Sequence, residues 1–393
     1  MPGIMLLLLL MIGVPFVVYP LLLWLRARLY PMPLLSAPIT PQVDLIICAY
    51  NEAGSIGRKL KNALALDYPS ENLTIWLASD GSTDNTVAAA KAIDDPRIRI
   101  LELPRAGKAA SLNAAVAAGS APVVAFSDAN SEWTPDSLRA LVAPLNDPRV
   151  GGVAGDQRYQ KANAHRASED LSGERSYWSF DRALKRWQSL AGSATSATGA
   201  IYCIRRPLFK PAPADATDDF MISTGVIAAG YRLAFAEGAQ AFEPVAASSG
   251  LEFDRKVRVI TRGLRGIYYR RGLLNPRRTG SYALQLLVHK LWRRLVWIPA
   301  VLLILSTPWA IQQGGTSMLI ALAILICVAL GLSALMVPGL RRLKLFSIPG
   351  YVLLVNSACI LALYNLLRGH RISQWHLPRG NSGAGSNSPK ARP

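Results

Sequence analysis

An uninterrupted apolar run from Gly3 to Leu25, followed at once by Arg26 and Arg28, constrains this chain more than any other feature. Roughly 20 apolar residues in a helix are enough to cross the hydrocarbon layer of a bilayer. The run has no basic segment before it and no small-residue cleavage site near its end, so it predicts an uncleaved anchor rather than a signal peptide. Three further apolar runs predict additional transmembrane helices, at about 295–312, 317–338 and 345–367.

The charged residues divide the chain into regions of different character. All 25 Asp and Glu lie between Asp44 and Asp254, together with 21 Lys and Arg, so this segment carries −4 while the chain carries +18. The other Lys and Arg flank the apolar runs, and by the positive-inside rule they predict a cytoplasmic orientation of the segment between them. This distribution argues against a nucleic-acid partner, which would require a basic domain.

We therefore expect a multi-pass protein of the cell membrane, in contact with membrane lipids, with a cytoplasmic domain. The predicted regions are an N-terminal transmembrane anchor, the cytoplasmic domain, basic interfacial helices, about three transmembrane helices and a basic, disordered tail, at residues 1–30, 43–254, 255–294, 295–367 and 368–393. A second interfacial helix is predicted at 177–190. Four spans would place the tail on the far side of the membrane; alternatively, the run that contains Pro299 and Pro308 is re-entrant.

The first part of the cytoplasmic domain alternates strand and helix patterns. Short apolar runs rich in β-forming residues predict strands at 43–50, 73–80, 98–103 and 122–128, and helical spacing predicts helices at 55–66, 82–93 and 107–119. This alternation is typical of βαβ units, so we expect an α/β fold with a mostly parallel sheet between helices. In such sheets, ligands bind beyond the carboxyl ends of the strands.

Polar residues follow three of these predicted strands. Asn51 and Glu52 follow the first strand, Asp80 the second, and Asp128 and Asn130 the fourth. Each group also has a purely structural interpretation, since an Asp-Gly pair forms turns and an Asp can cap a helix. Neither GxxxxGK[ST] nor GxGxxG occurs, so the usual phosphate-binding and dinucleotide-binding motifs are absent from the sequence. The arrival of these polar residues at one sheet edge nevertheless predicts a ligand site.

Six motifs follow one another along about 43–265: CAYNEAGSIGRKL, ASDGSTDNT, GKAASLNAAV, FSDAN, ATGAIYCIRR and TDDFMISTGVIAAGYRLAF. Their order and spacing resemble those of membrane-bound family 2 glycosyltransferases, the group of the cellulose, chitin, hyaluronan and poly-N-acetylglucosamine synthases. The resemblance implies a nucleotide-sugar-binding domain of the GT-A type, a nucleotide-sugar donor, a divalent cation and inversion at the anomeric carbon.

The resemblance also implies roles for residues of the donor site. Positions that hold the uridine match Ala49, Tyr50, Asn51, Glu52 and Asp80, and a carboxylate there can accept a hydrogen bond from uracil N3–H. Lys108 matches a basic position near the nucleotide, although a solvated helical lysine is the structural alternative. Asp128 matches the first Asp of Asp-x-Asp, a hard oxygen ligand for Mg²⁺ or Mn²⁺ held with the donor diphosphate. Asn130 replaces the second Asp and can ligate through its amide oxygen without adding charge.

The acceptor side of the site is predicted from TDDF at 217–220. In the family, a Thr-Glu-Asp-like motif supplies the carboxylate that removes the acceptor hydroxyl proton; Asp219 matches it, with Asp218 in place of Glu. Alternatively, Thr217 or these carboxylates cap the following helix. The family motif Gln-x-x-Arg-Trp reads RKVRV here, so that Arg258 remains to neutralise a diphosphate while the Trp is lost. The basic segment around Arg258 also predicts a helix that meets anionic lipid headgroups.

The sequence thus predicts an inverting glycosyltransferase (a hexosyltransferase) that moves a sugar from a UDP-sugar to a lipid-linked or polysaccharide acceptor at the membrane. A processive polysaccharide synthase that also secretes its product is an alternative, against which the lost Trp argues, because that ring offers a face to the acceptor sugar. A non-catalytic nucleotide-sugar-binding subunit is a further alternative, favoured by Asn130 and by the same lost Trp.

Overall fold

The computed structural model describes residues 2–159, 171–243 and 249–370. Within this part of the chain the strands are β1 Val43–Ala49, β2 Leu73–Asp80, β3 Ile98–Leu103, β4 Val123–Asp128, β5 Glu132–Trp133, β6 Val150–Tyr159, β7 Tyr202–Arg205 and β8 Arg232–Glu243. The α-helices are α1 Pro2–Gly13, α2 Tyr19–Leu29, α3 Ile56–Leu64, α4 Thr86–Lys91, α5 Lys108–Ala118, α6 Ser137–Val142, α7 Leu171–Ala191, α8 Asp218–Ala228, α9 Ser249–Tyr269, α10 Pro276–Thr279, α11 Ser281–Gln285, α12 Trp297–Leu305, α13 Thr307–Gln313, α14 Gly315–Met336 and α15 Lys344–Leu367.

The described strands form one eight-stranded sheet in the order β3-β2-β1-β4-β7-β6-β8-β5. The neighbours β3, β2, β1 and β4 are parallel, as the alternation of strands and helices predicts. The other half of the sheet is mixed, because β7 runs antiparallel to both β4 and β6 while β8 is parallel to β6. The expected α/β fold is therefore confirmed, and its mixed half extends the predicted parallel part.

The centre of the sheet is buried on both faces. Every residue of β1 is buried, as the central strand of a covered parallel sheet requires. Leu45 and Ile47 belong to one core cluster together with Leu60 of α3, whereas Ile46 belongs to the cluster of Leu112 in α5. Successive side chains of a strand point to opposite faces, so β1 joins two helical layers and holds its carboxyl end in a fixed position.

Asp44 forms a buried ion pair at the opposite, amino-terminal end of β1. Its carboxylate is 3% exposed and pairs with the guanidinium of Arg206. It also accepts hydrogen bonds from the Trp76 indole N–H at 3.0 Å and from the Ala121 backbone N–H at 2.9 Å. A Cβ on Gly119 would lie 2.3 Å from this carboxylate, so glycine is required there. The pair fastens β1, β2 and the segment before β4 to one another.

Among the described residues, three helices are long and apolar enough to cross a membrane, at Gly3–Leu29, Gly315–Met336 and Lys344–Leu367. The first contains a π-helical turn at Val14–Val18, where Pro15 has no backbone N–H to donate. The run expected to span the membrane at about 295–312 is divided instead between α12 and α13, because Pro308 cannot donate to the preceding turn. Neither piece reaches the length of a span, and the number of crossings stays a prediction.

The basic segment expected at 255–294 begins within a longer helix. Helix α9 starts at Ser249 and so crosses the predicted domain boundary. It packs along α15, where the Lys256 ammonium lies 4.9 Å from the centre of the Tyr351 ring. The helix predicted at 177–190 is found as part of α7, and its contact with lipid stays a prediction. The basic tail predicted at 368–393 lies, from residue 371 onward, outside the described residues.

Candidate active site

The ammonium of Lys108 lies at the centre of a cluster of carboxylates at the carboxyl edge of the parallel strands. Its Nζ is 2.7 Å from Asp128 Oδ1 at the end of β4 and 3.0 Å from Asp218 Oδ2 at the start of α8. Burial acts to lower the pKa of Lys108, but the charges of Asp128 and Asp218 outweigh it and raise that pKa well above the ordinary value. Lys108 is therefore protonated and joins the predicted donor and acceptor sides. The interpretation of Lys108 as a solvated helical residue is wrong.

Asp80 positions Lys108 through the loop that precedes α5. Its carboxylate accepts hydrogen bonds from the backbone N–H groups of Ala106 and Gly107, both at 2.8 Å, and pairs with the Arg105 guanidinium. The loop can approach this closely because residue 81 is glycine: its φ is +64°, and a Cβ would lie 2.7 Å from the Arg105 nitrogen. The Asp80 side chain is 1% exposed. A hydrogen bond from the uracil N3–H to Asp80 stays a prediction and requires Arg105 to move.

Arg105 also covers the ring of Tyr50, the residue expected at the nucleotide. The guanidinium carbon lies 3.3 Å from the centre of the Tyr50 ring, which is a stacked cation–π contact. Sequence reasoning selected Tyr50 and Asp80 but missed Arg105, although it stands just before the GKA motif. The long side chain of Arg105 therefore covers two residues that are predicted to hold the base.

The other predicted nucleotide residues join the first two loops of the sheet edge. Asn51, with a φ of +53°, accepts a hydrogen bond from the Thr83 backbone N–H at 2.8 Å through its side chain. The Glu52 backbone N–H donates to Thr86 Oγ1 at 2.8 Å. Ala49 is completely buried in β1, so any contact of this residue with a nucleotide comes from its main chain. These contacts fix the loop shapes, and direct nucleotide binding stays a prediction.

Asp128 and Asn130 present oxygen atoms that suit a divalent cation. Asp128 is held by Lys108 through one oxygen and its side chain is 27% exposed, so it remains accessible to a ligand. The Asn130 Oδ1 atom is buried and makes no hydrogen bond. A buried acceptor without a partner is uncommon in proteins, and amide and carboxylate oxygens are ligands that Mg²⁺ and Mn²⁺ accept. The interpretation of Asp128 as a helix cap is wrong, because α6 begins nine residues later at Ser137.

The described residues contain no group of three or more His, Cys, Asp and Glu side chains arranged to hold a metal ion. Asp128 and Asn130 therefore supply too few ligands for tight binding on their own, since Mg²⁺ requires octahedral coordination and is usually completed by waters and substrate phosphates. The residues fit a cation that is held jointly with a diphosphate, as the resemblance implies, and they do not fit a site made by protein alone.

Gly199 and Tyr202, which sequence reasoning did not select, close the cluster from below. A Cβ on Gly199 would lie 2.9 Å from an Asp128 oxygen and 3.3 Å from Lys108 Nζ, so only glycine leaves room for that ion pair. Tyr202 stacks on Phe126 at 4.5 Å, and its buried hydroxyl has no hydrogen-bond partner. Both residues belong to the ATGAIYC motif, and no sequence pattern in that motif indicates this packing role.

The acid pair at the start of α8 contains one buried and one accessible carboxylate. Asp218 is 6% exposed and pairs with Lys108, whereas Asp219 is partly exposed and its Oδ1 accepts from the Phe220 backbone N–H at 2.6 Å. Burial, and secondly the charge of Asp218, raise the pKa of Asp219 to about 6, although Lys108 opposes the shift. Thr217 stands at the N-cap position but its hydroxyl makes no capping bond. A carboxylate with this pKa can accept a proton near neutral pH.

Helix α9 supports the segment that leads into the acid pair. Arg262 donates to the Ala216 carbonyl oxygen at 2.6 Å, and Arg265 pairs with Asp215 at 3.4 Å. Arg262 and Arg265 are both buried, so these arginines bind the α/β domain rather than lipid headgroups. Arg258, predicted to act on a diphosphate, is half-buried one helical turn before Arg262 on the same face. Its role stays a prediction.

Comparisons with known proteins agree with this geometry. A family profile described as Glycosyl transferase family 2 matches residues 44–211. The beta-monoglucosyldiacylglycerol synthase of Synechocystis sp. is 30% identical over 118 residues, which are 29% of this chain and 25% of that protein. The poly-beta-1,6-N-acetyl-D-glucosamine synthase of Staphylococcus epidermidis is 27% identical over 172 residues, 43% of this chain and 40% of that protein. The chain thus spans between a quarter and two fifths of these relatives.

A solved structure resembles nearly the whole chain. The mannosyltransferase of Pyrobaculum calidifontis, in complex with GDP-Man and Mn²⁺, superposes with a TM-score of 0.69, covering 94% of this chain and 100% of that one at 23% sequence identity. At this identity the likeness shows the fold alone, and it confirms the GT-A-type fold that the six motifs imply.

Proposed function

We propose that the chain is an inverting glycosyltransferase that moves a sugar from a UDP-sugar to a lipid-linked or polysaccharide acceptor at the membrane. The match of residues 44–211 to a glycosyltransferase family 2 profile supports this proposal. The match to the family 2 profile and the GT-A-type fold support a glycosyltransferase with a nucleotide-sugar donor. The observation that carries the finer proposal is the position of Asp219, a partly exposed carboxylate with a pKa of about 6, next to the Lys108 cluster.

Asp219 is the proposed base that takes the proton of the acceptor hydroxyl. An inverting displacement needs a base on the face opposite the leaving diphosphate, and that base must be both accessible and unprotonated at the working pH. Asp218 is less suitable because it is buried and its charge is neutralised by Lys108 at 3.0 Å. We propose that Asp218 instead raises the pKa of Asp219 and orients the ammonium of Lys108. Arg258 is proposed to face the charge that develops on the departing diphosphate.

Asp128 and Asn130 are the proposed protein ligands of Mg²⁺ or Mn²⁺. The ion would neutralise negative charge on the donor diphosphate and so make it a better leaving group. Lys108 would then turn from Asp128 toward the diphosphate or remain as a second positive charge beside it. The orphaned amide oxygen of Asn130 supports this assignment, and the Mn²⁺ in the complex of the Pyrobaculum mannosyltransferase makes a divalent ion reasonable for this fold.

The nucleotide base is proposed to replace the Arg105 guanidinium on the Tyr50 ring. A planar base can stack where the planar guanidinium now lies, 3.3 Å from the ring centre. Asp80 then becomes available to accept from the N3–H of a uracil. The structural relative contains GDP-Man, so a direct comparison of UDP and GDP binding is the measurement that checks the base. Tighter binding of GDP than of UDP would contradict the proposed donor.

The acceptor is proposed to arrive from the membrane along α9. This helix contacts the transmembrane helix α15 through Lys256 and Tyr351, and it fixes the residues before Asp218 through Arg262. Two of the relatives are named for their products, which are a glycolipid for the beta-monoglucosyldiacylglycerol synthase and a polysaccharide for the poly-beta-1,6-N-acetyl-D-glucosamine synthase. A single transfer to a lipid is favoured over processive synthesis here, because the family Trp that supports a growing sugar chain is lost at RKVRV.

The test is product formation by the full-length chain purified in detergent. A panel of UDP-sugars and GDP-sugars would be supplied with Mn²⁺ and a membrane lipid extract, and released nucleotide and glycosylated product would be measured together by mass spectrometry. We expect a stoichiometric glycolipid or oligosaccharide product with one UDP-sugar. Nucleotide release without any glycosylated product indicates hydrolysis, and the absence of both with every donor would refute the proposed transfer.

The cytoplasmic orientation is tested separately. Arg26, Arg28 and the basic residues before α12 orient residues 44–254 inward by the positive-inside rule. A protease added outside sealed, right-side-out vesicles should therefore leave this domain intact, whereas the same protease in permeabilised vesicles should cut it. Cleavage of the domain in sealed vesicles would place the donor site on the outer face and contradict the use of a cytoplasmic nucleotide sugar.

A further inference from the structure

Lys59 of α3 is buried directly beneath the loop that joins β4 to β5. Its side chain is 2% exposed, and its Nζ donates to Ser127 Oγ at 2.7 Å and to the Ser131 carbonyl oxygen at 2.5 Å. Asp128 and Asn130, the proposed metal ligands, lie between these two attachment points. The Lys59 side chain thus holds both ends of the five-residue segment 127–131, which contains the proposed ligands.

The attachment continues into neighbouring strands on both sides. Ser131 Oγ donates to Glu243 Oε1 at 2.7 Å, and Gln157 donates to the other oxygen of Glu243 at 2.7 Å. On the opposite side Ser127 Oγ lies 3.2 Å from the Ala200 carbonyl oxygen, next to Gly199. Glu243 is the last residue of β8, the strand before α9. The loop is therefore fixed relative to the Lys108 cluster and to the strand that leads toward the acceptor side.

An ammonium in this position is expensive for folding, because burying a charge loses its hydration. A methionine of similar length would fill the same space without that loss, and α3 needs only apolar residues on this face, as Ile56 and Leu60 show. The aromatic face of Trp133 at 5.5 Å and the neighbouring acids offset part of the cost. The chain thus retains a polar donor here whose hydrogen bonds both end on the loop, which indicates that its task is to hold the loop.

We propose that Lys59 is a positioning residue for the divalent-cation site, which sets the separation and direction of the Asp128 and Asn130 oxygens. This inference rests on the proposed function of those two residues as metal ligands. Residues that orient the ligands of a metal typically change metal affinity by about 10–100-fold when they are replaced. Lys59 does not touch the metal or the substrate in this proposal, and it acts through Ser127 and Ser131.

Electrostatics alone predicts the opposite effect, which makes the sign of the result decisive. Burial lowers the pKa of Lys59 to about 7, so the residue carries only part of a positive charge near neutral pH. If that charge were its only influence, its removal should leave cation binding unchanged or tighter. A positioning role predicts weaker binding, because the loop would lose the attachment of both its ends. A residue that only satisfied buried polar atoms would lower the thermal stability without changing the metal dependence.

The test is the Mn²⁺ concentration required for half-maximal UDP binding, measured by calorimetry on the full-length chain in detergent. We expect Lys59→Met to raise this concentration by about tenfold or more, with UDP binding restored at saturating Mn²⁺. Lys61→Met is the matched control, since Lys61 lies on the same helix but is exposed, and it should leave the concentration unchanged. Melting temperatures without ligand would be recorded for both variants.

An unchanged or lower Mn²⁺ requirement in folded Lys59→Met would overturn the positioning role. If this variant does not fold, Ser127→Ala decides, because it removes one of the two attachments and keeps the lysine: a several-fold higher requirement supports the proposal, and an unchanged one rejects it. Wild-type UDP binding that ignores Mn²⁺ would instead remove the metal site itself, and with it the basis of this inference. The two failures are therefore distinguishable.

Discussion

Carboxylates pair with cations beside both ends of β1, but the two clusters are built in different ways. At the amino end, Asp44 faces one cation, Arg206, and its two oxygens also accept from the Trp76 indole and the Ala121 backbone. At the carboxyl edge, Asp128, Asp218 and Asp219 share the single ammonium of Lys108. The first cluster is balanced in charge, and the second has an excess of negative charge.

The difference indicates which cluster maintains the fold and which one binds ligands. A buried ion pair with all its hydrogen bonds made has nothing left to offer a ligand, and breaking it is destabilising. The carboxyl edge keeps unused capacity, since the Asn130 oxygen and the Tyr202 hydroxyl are buried without partners. Like-charged neighbours also raise a carboxyl pKa, as they help to do at Asp219. The excess negative charge of the unbalanced cluster is what the proposed cation site and the proposed base both require.

The largest effect is expected from Asp219→Asn at the unbalanced end. Asparagine keeps the size of the side chain but cannot accept the acceptor proton, so turnover should fall by about 10² or more, within the usual range for loss of a general base. UDP binding, measured by calorimetry, should stay within about twofold of wild type because Asp219 is not a proposed nucleotide contact.

Asp218→Asn is the matched comparison for that experiment. It removes one of the charges that raise the Asp219 pKa and also releases Lys108, so we expect it to impair nucleotide binding as well as turnover. Near-normal product formation by Asp219→Asn would exclude this residue as the base. A selective loss of turnover in Asp218→Asn, with binding intact, would move the role by one residue.

The next effect is expected at the balanced end, from Asp44→Asn. The substitution leaves the Arg206 guanidinium without its counter-charge in a largely buried position, so the free energy of unfolding should fall by roughly 2 to 4 kcal/mol. Thermal or denaturant unfolding in detergent measures this change. The turnover of the protein that remains folded should match wild type, and a specific loss of turnover would show that the two ends are not independent.

The parallel half of the sheet and its helices could be predicted because each element obeys a local rule. The apolar strands at 43–50 and 73–80, and the helical spacing of 107–119, correspond to β1, β2 and α5 within a residue or two. The strands β5, β6 and β8 of the mixed half were not predicted, since β5 has two residues and β8 pairs with strands distant in sequence. Pairing of that kind depends on tertiary context and leaves little trace in local periodicity.

The candidate site was predictable in its members but not in its contacts. Lys108, Asp128 and Asp218 could be selected from motif order, and the structure brings them within hydrogen-bonding distance. The partners of Asp80 could not be foreseen, because an Asp-Gly turn gives no indication that Arg105 will return to it 25 residues later. The buried lysine at position 59 was equally hidden, since a lysine in an amphipathic helix ordinarily indicates the solvent face.

A smaller effect is expected from changing the charge of the metal ligands. Asn130→Asp adds a carboxylate to the unbalanced cluster, so it should lower the Mn²⁺ concentration needed for half-maximal UDP binding by about tenfold, equivalent to about 1.4 kcal/mol. Asp128→Asn should remove the Mn²⁺ dependence. Titration of Mn²⁺ with and without UDP measures both. UDP binding by Asp128→Asn that still responds fully to Mn²⁺ would reject the metal site and leave Asp128 only as a partner of Lys108.

The smallest effect, and the one most specific to the unbalanced cluster, concerns pH. Burial and the charge of Asp218 raise the pKa of Asp219 to about 6, and a base must be unprotonated to act. The turnover number should therefore rise with pH, reach about half of its plateau near pH 6 and change little above pH 7. The sign for stability is the reverse. A raised carboxyl pKa favours the folded state at pH values below the pKa of the unfolded chain, and this contribution is lost as the pH rises through about 6.

Asp218→Asn should move the midpoint of turnover to lower pH because a repulsive charge is removed, whereas Asp44→Asn, at the far end of β1, should leave it in place. A midpoint that ignores Asp218→Asn would show that another group titrates. Profiles of turnover at saturating substrate and Mn²⁺, recorded for wild type and both variants over pH 5 to 8, provide the measurement.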